Sequence, residues 1–109
     1  MKTLIAGLAI ALTFAAGSAH SQEPAPNGKS LYKEKCVMCH DKTGMGTGIL
    51  SRRVKIAELL LRTDLNAEYI VVAARSGIGN MPPIPRGEAS DQQLRAIADY
   101  LTQPLEARK

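Results

Sequence analysis

Cys36 and Cys39 stand three residues apart with His40 directly after them, in the run Cys36-Val37-Met38-Cys39-His40. The spacing C-x-x-C-H is that of a c-type haem attachment site. Two thiols one helical turn apart can add to the two vinyl groups on one edge of a porphyrin and fix it by thioether bonds. The histidine that follows is then carried beneath the ring, with an imidazole nitrogen aimed at the iron. In such a site the redox chemistry belongs to the cofactor, and the protein sets its potential, exposure and partners.

Three other uses of the same residues compete. Zinc needs four ligands, and the only other cysteine or histidine in the chain is His20. A reactive dithiol is expected at a helix start inside a βαβ pattern. Here Cys36 follows a helix-like run from Leu31 to Lys35, and no strand pattern surrounds it. A disulfide across so short a loop would restrict the unfolded chain only weakly. The pattern favours one covalent haem c, with Cys36 and Cys39 as its attachment points and His40 as an axial ligand.

Iron held by one histidine needs a second axial ligand or keeps a reactive open position. Beyond the leader the methionines are Met38, Met45 and Met81. Met38 lies between the two cysteines and is tethered to the ring edge. Met45 is five residues past His40, on the proximal side. Met81 is 41 residues past it, far enough for the chain to wrap the ring. Pro82, Pro83 and Pro85 stiffen its surroundings, and a thioether ligand favours the reduced iron and raises the potential. Met81 is therefore the expected sixth ligand; its competing use is as a flexible filler of the core.

The elements that must position these residues read as helices. Asn27 caps a helix through Leu31 and Tyr32 into the motif. Gly44 to Gly48, with three glycines in five residues, predicts a loop. Val54, Ala57, Leu60 and Leu61 have the one-sided spacing of a short helix. Asn66 caps a helix over residues 67–76 that Gly77 closes. Ser90 and Gln93 form a capping box ahead of a last helix with Leu94, Ile97, Ala98 and Leu101 on one face. No strand pattern, repeat or low-complexity block stands out. The fold class is all-α, a small domain of three to five short helices wrapped around the haem.

The 109-residue chain opens like a secretory leader. Lys2 supplies the positive start, residues 4–16 the apolar run, and residues 17–21 a small-residue cleavage region before Gln22. Thirteen apolar-run residues are too few to span a bilayer comfortably. The expected organisation is a cleaved leader over 1–21, a tail over 22–27 and one domain over 28–109, located in the periplasm with no membrane span after cleavage. From Gln22 onward 13 Lys and Arg stand against 10 Asp and Glu. No basic stripe with interleaved aromatics accompanies this mild excess, so nucleic acid is not an expected partner. The same stretch has no Trp and no Phe. That is a thin core for its size, so the chain without haem is expected to fold poorly.

With these residues in view, the chain resembles the class I cytochromes c. The resemblance rests on Gly28 and Tyr32 ahead of the motif, a Met-Pro ligand loop, and a C-terminal helix carrying Tyr100 and Leu101. Within that class it is most similar to the small cytochrome subunits of flavocytochromes that hydroxylate 4-alkylphenols, the p-cresol methylhydroxylase type. Gly44-x-Gly46, Glu68-Tyr69-Ile70, Arg75-Ser76-Gly77 and Met81-Pro82-Pro83-Ile84-Pro85 carry this second likeness. Many relatives place a proline after the Gly-x-Gly, and its carbonyl orients the haem histidine; here that position is Thr47. The segment with Arg52, Arg53 and Lys55 looks longer than in that group. It suits a haem propionate, a partner, or a basic helix facing solvent.

The resemblance implies an electron-transfer protein without catalysis of its own. Its partner would be a flavin-dependent dehydrogenase or hydroxylase subunit that passes on electrons singly. The alternatives are a freely diffusing shuttle between another periplasmic dehydrogenase and a terminal oxidase, and a haem sensor or peroxidase with an open iron. Against the last stands the lack of a spare histidine after the leader.

Overall fold

Asn27 opens the first helix by accepting the Ser30 amide on its side chain at 3.1 Å, which fills a donor that every helix start leaves free. In this computed structural model, which describes residues 24–109, the chain forms five helical segments. They are α1 (Gly28–Lys35), α2 (Val37–His40), α3 (Met45–Leu50), α4 (Ala67–Ser76) and α5 (Asp91–Thr102). Single 3-10 turns lie at Leu59–Leu61 and Leu105–Arg108. Among the described residues the only strand-like pairing is a bridge between Ile78 and Met81. The all-α expectation holds. The leader, its cleavage region and His20 lie outside the described residues, and residues 24–27 take no regular form.

The last helix organises the core because its apolar residues fall on one side. Leu94, Ile97, Ala98 and Leu101 are all buried there, as their spacing predicts. The Ser90–Gln93 capping box forms in both directions, and Asn66 caps α4 by accepting the Tyr69 amide. Helices α1 and α4 both pack on α5. Leu31 and Tyr32 from α1 join Ile97, Tyr100 and Leu101 in one cluster. The Tyr32 and Tyr100 rings sit 6.0 Å apart and tilted. At the crossing, Gly28 lies directly against the Ala96 carbonyl, and a Cβ there would stand 2.8 Å from Tyr100 Cβ. Only glycine lets the two backbones come this close.

Two sequence-based expectations are corrected. The glycine-rich stretch 44–48 is not a loop, because from Met45 it belongs to α3. Gly44 and Gly46 press against the Cys39 carbonyl and His40, where a side chain would not fit. That contact offsets the roughly 1 kcal/mol that each glycine costs a helix. The expected helix over 54–61 is instead irregular chain with a bend at Lys55, ending in the short turn at Leu59–Leu61. Its carbonyls have a different partner. The buried Arg108 donates to Leu60 O at 3.1 Å and Arg62 O at 2.9 Å, which satisfies carbonyls that the end of this turn leaves free.

Candidate functional site

The three residues of the motif share one continuing helical path. Helix α1 runs through Cys36 into α2, with Cys36 N–H on Tyr32 O and His40 N–H on Cys36 O, each at 2.9 Å. Cys36 and Cys39 are therefore one turn apart, with His40 beside them. Cys36 is partly buried and packs on the core cluster, whereas Cys39 is exposed. Both thiols are free. Burial pushes the Cys36 thiol up to about 11, away from the thiolate that a dithiol redox pair requires. Among the described residues no three His, Cys, Asp or Glu side chains are grouped to hold a metal ion.

His40 is shaped by its neighbours on every side. Burial lowers its pKa, which keeps the imidazole neutral, the form that binds a metal. Its carbonyl accepts the Tyr32 hydroxyl at 3.1 Å. Tyr32 is only 1 % exposed, and burial holds its phenol protonated well above the ordinary tyrosine range. Opposite lies the start of α3, where a Cβ on Gly46 would stand 3.2 Å from His40 Cε1. Replacing Tyr32 with Phe keeps the ring and strands the His40 carbonyl. The expected loss is about 1–2 kcal/mol of stability, measured by denaturant unfolding of the holoprotein; a loss below a few tenths would mean that water replaces the hydroxyl.

Met81 sits in a loop fastened to the end of α4. Ile78 and Met81 exchange both backbone hydrogen bonds, at 3.0 and 2.9 Å. Gly77 turns the chain into this loop at φ 73°, a conformation that favours glycine, and a Cβ there would stand 2.8 Å from Met81 O. Ile84 N–H closes the circuit on Ala74 O at 2.8 Å. Met81 is partly buried, while Met38 is 90 % and Met45 70 % exposed. Of these three, Met81 alone is withheld from solvent. Arg52 and Arg53 are exposed on a turn and Lys55 at a bend, so the basic helix considered for that segment does not form.

The residues present fit a haem. The donor set is two free thiols, a neutral imidazole and one sheltered thioether, on an α2–α3 pair that leaves no room for side chains at Gly44 and Gly46. Among the described residues His40 Nδ1 is buried with no hydrogen-bond partner, and so is Thr47 Oγ1. A histidine that binds metal through one nitrogen ordinarily donates from the other. No proline carbonyl receives that proton here. Thr47, at the corresponding place, spends its own carbonyl on Ser51 N–H at 2.9 Å.

Two contributors escape the motif reading. One is the Tyr32 hydroxyl, whose carbonyl partner is eight residues on. The other is Arg75, whose side chain reaches Ile84 O, Ala89 O and Asp91. The signals available for it were its place in the Arg75-Ser76-Gly77 segment of the family likeness and its position in the last turn of a helix that leads into the methionine loop.

The sequence model of the family described as Cytochrome C oxidase, cbb3-type, subunit III matches residues 23–101. The chain is 30 % identical over 103 residues to the 4-cresol dehydrogenase (hydroxylating) cytochrome c subunit of Pseudomonas putida. That alignment covers 93 % of this chain and 82 % of the other protein. No solved structure matches the chain.

Proposed function

We propose, since this chain belongs to the cytochrome c family, that its electron transfer runs through one covalent haem c. Cys36 and Cys39 hold it, and His40 and Met81 are the axial ligands of its iron. When bound, the haem supplies an iron centre that alternates between ferrous and ferric states by one electron. One arrangement carries this reading: two free thiols and a buried, neutral imidazole on one continuing helical turn. The protein's residues do the rest. The Tyr32 hydroxyl holds the His40 backbone and α3 lies close against its ring, the loop from Gly77 to Ile84 keeps Met81 partly buried, and exposed Cys39 with Met38 beside it offers the contact edge.

The finer reading is a subunit of a periplasmic flavoprotein that oxidises a 4-alkylphenol. The chain would accept electrons from the flavin singly and do no substrate chemistry itself. Its likeness to the cytochrome c subunit named above supports this, as do the leader features for export. No helix of the described residues is long and apolar enough to cross a membrane.

Two measurements on native protein from its source separate these levels. Mass spectrometry of denatured protein should find a haem still attached to the chain; an unmodified mass removes the covalent assignment. Sizing of periplasmic extract, followed by haem and flavin absorbance together, should place both in one peak several times the size of this domain. Haem eluting alone and small would make the chain a diffusible carrier and remove the alkylphenol link. Haem absent from the periplasmic fraction would remove the location.

A further inference from the structure

We propose that Arg75 is a positioning residue that keeps the Met81 loop closed. The inference rests on the reading of Met81 as an iron ligand and adds to it the group that holds that ligand in place.

The geometry is specific. Arg75 stands in the last turn of α4 with its side chain only 15 % exposed. Nη1 donates to Ile84 O at 2.9 Å, and Nη2 donates to Ala89 O at 2.8 Å and to Asp91 Oδ1 at 2.8 Å. One planar group thus ties three segments together: the end of α4, the loop three residues past Met81, and the start of α5. The loop has little means of tying itself. Pro82, Pro83 and Pro85 lack an N–H, so Ile84 carries the only backbone donor between Met81 and Arg86. That donor goes to Ala74 O, and the Ile84 carbonyl goes to Arg75. Both polar groups of this one residue are therefore held by the last turns of α4. Asp91 is the weaker arm. It is largely exposed and shared with Arg86 Nε at 2.9 Å, so the two carbonyls are the anchors that matter.

An arginine near a helix C-terminus also stabilises the helix simply by its charge. The fork distinguishes the two roles. Lysine keeps the charge but cannot reach carbonyls of two segments with a planar pair of donors. Without the fork, the loop should spend more time with Met81 displaced. A small ligand that competes for the vacated position then binds more tightly in proportion to the displaced fraction.

The test uses the ferric holoprotein, with imidazole as the competing ligand followed by its absorption change. Hydrogen exchange at the Ile84 amide and denaturant unfolding are measured in parallel on wild type, R75Q, R75K, D91N and M81A. R75Q should bind imidazole about tenfold more tightly than wild type, with faster exchange at Ile84. R75K should fall between them, and D91N should stay within about twofold of wild type. M81A, with no ligand to displace, should bind most tightly of all. If R75Q matches wild type in imidazole affinity and Ile84 exchange while M81A does not, the role of Arg75 is wrong and Met81 remains the ligand. A fall in R75Q unfolding stability with no change in those two readouts overturns the role equally. If M81A itself binds no more tightly than wild type, the ligand assignment fails first. Should R75Q not fold, R75K decides: wild-type affinity there overturns the proposal.

Discussion

Replacing Met81 with alanine should lower the midpoint potential by about 0.1 V or more, since axial ligands move haem potentials over ≈ 0.8 V. A thioether is neutral and soft, so it stabilises the ferrous state relative to the ferric one. Water or a hydroxide in its place does not. For one electron, 0.1 V corresponds to about 2.3 kcal/mol. The structure makes the test clean. Met38 and Met45 are mostly exposed, so their alanine variants should leave potential and spectrum almost unchanged. Gly77, the Ile78–Met81 bridge and the Ile84–Ala74 bond are backbone features, so the loop survives loss of the side chain. Spectroelectrochemical titration gives the potential, and carbon monoxide or cyanide affinity reports the opened position. An unaltered potential with an unaltered ferric spectrum would make Met81 a core filler and reopen the identity of the sixth ligand.

The parts of this fold that were legible in the sequence are those governed by local chemistry. Asn27, Asn66 and the Ser90–Gln93 box each act within three residues of themselves, and the apolar face of α5 follows from helical periodicity. The motif is legible for the same reason, because one helical turn sets the spacing of Cys36, Cys39 and His40. What failed was decided by distant partners. Gly44 and Gly46 sit at the start of a helix pressed against Cys39 and His40, with no space for side chains, which no local propensity can express. The turn that ends residues 54–61 is held by Arg108, nearly fifty positions later, which takes the carbonyls of Leu60 and Arg62. Arg75 was visible as part of the family likeness, but its contacts were not, for the complementary reason. Its three acceptors lie 9 to 16 residues ahead, and two of them are carbonyls that every residue possesses.

The crossing of α1 over α5 sets up a second large effect, whose sign is opposite to the local expectation. In a free helix, alanine is better than glycine by about 1 kcal/mol, so propensity alone predicts that Gly28→Ala stabilises the first turn of α1. In the folded protein its Cβ would overlap the Ala96 carbonyl oxygen and stand 2.8 Å from Tyr100 Cβ. The first of these is backbone inside a capped helix and cannot swing aside. Relief requires α1 to lift from α5, loosening the contact of Leu31 and Tyr32 with Ile97, Tyr100 and Leu101. Overpacking of this kind costs about 1–3 kcal/mol, a substantial share of the roughly 5–15 kcal/mol that holds a small domain. At about 4–8 °C per kcal/mol for a domain of this size, Gly28→Ala should lower the melting temperature of the holoprotein by roughly 5–20 °C. Gly28→Val should lower it further. Calorimetry or thermal circular dichroism reads the effect directly, and a raised melting temperature for the alanine variant would show that the helices are free to separate. Because α1 runs on through Cys36 to His40, a lifted helix also carries His40, the proposed axial ligand, with it. The variant should therefore shift the potential as well as the melting point, which a change confined to the far end of an independent helix would not do.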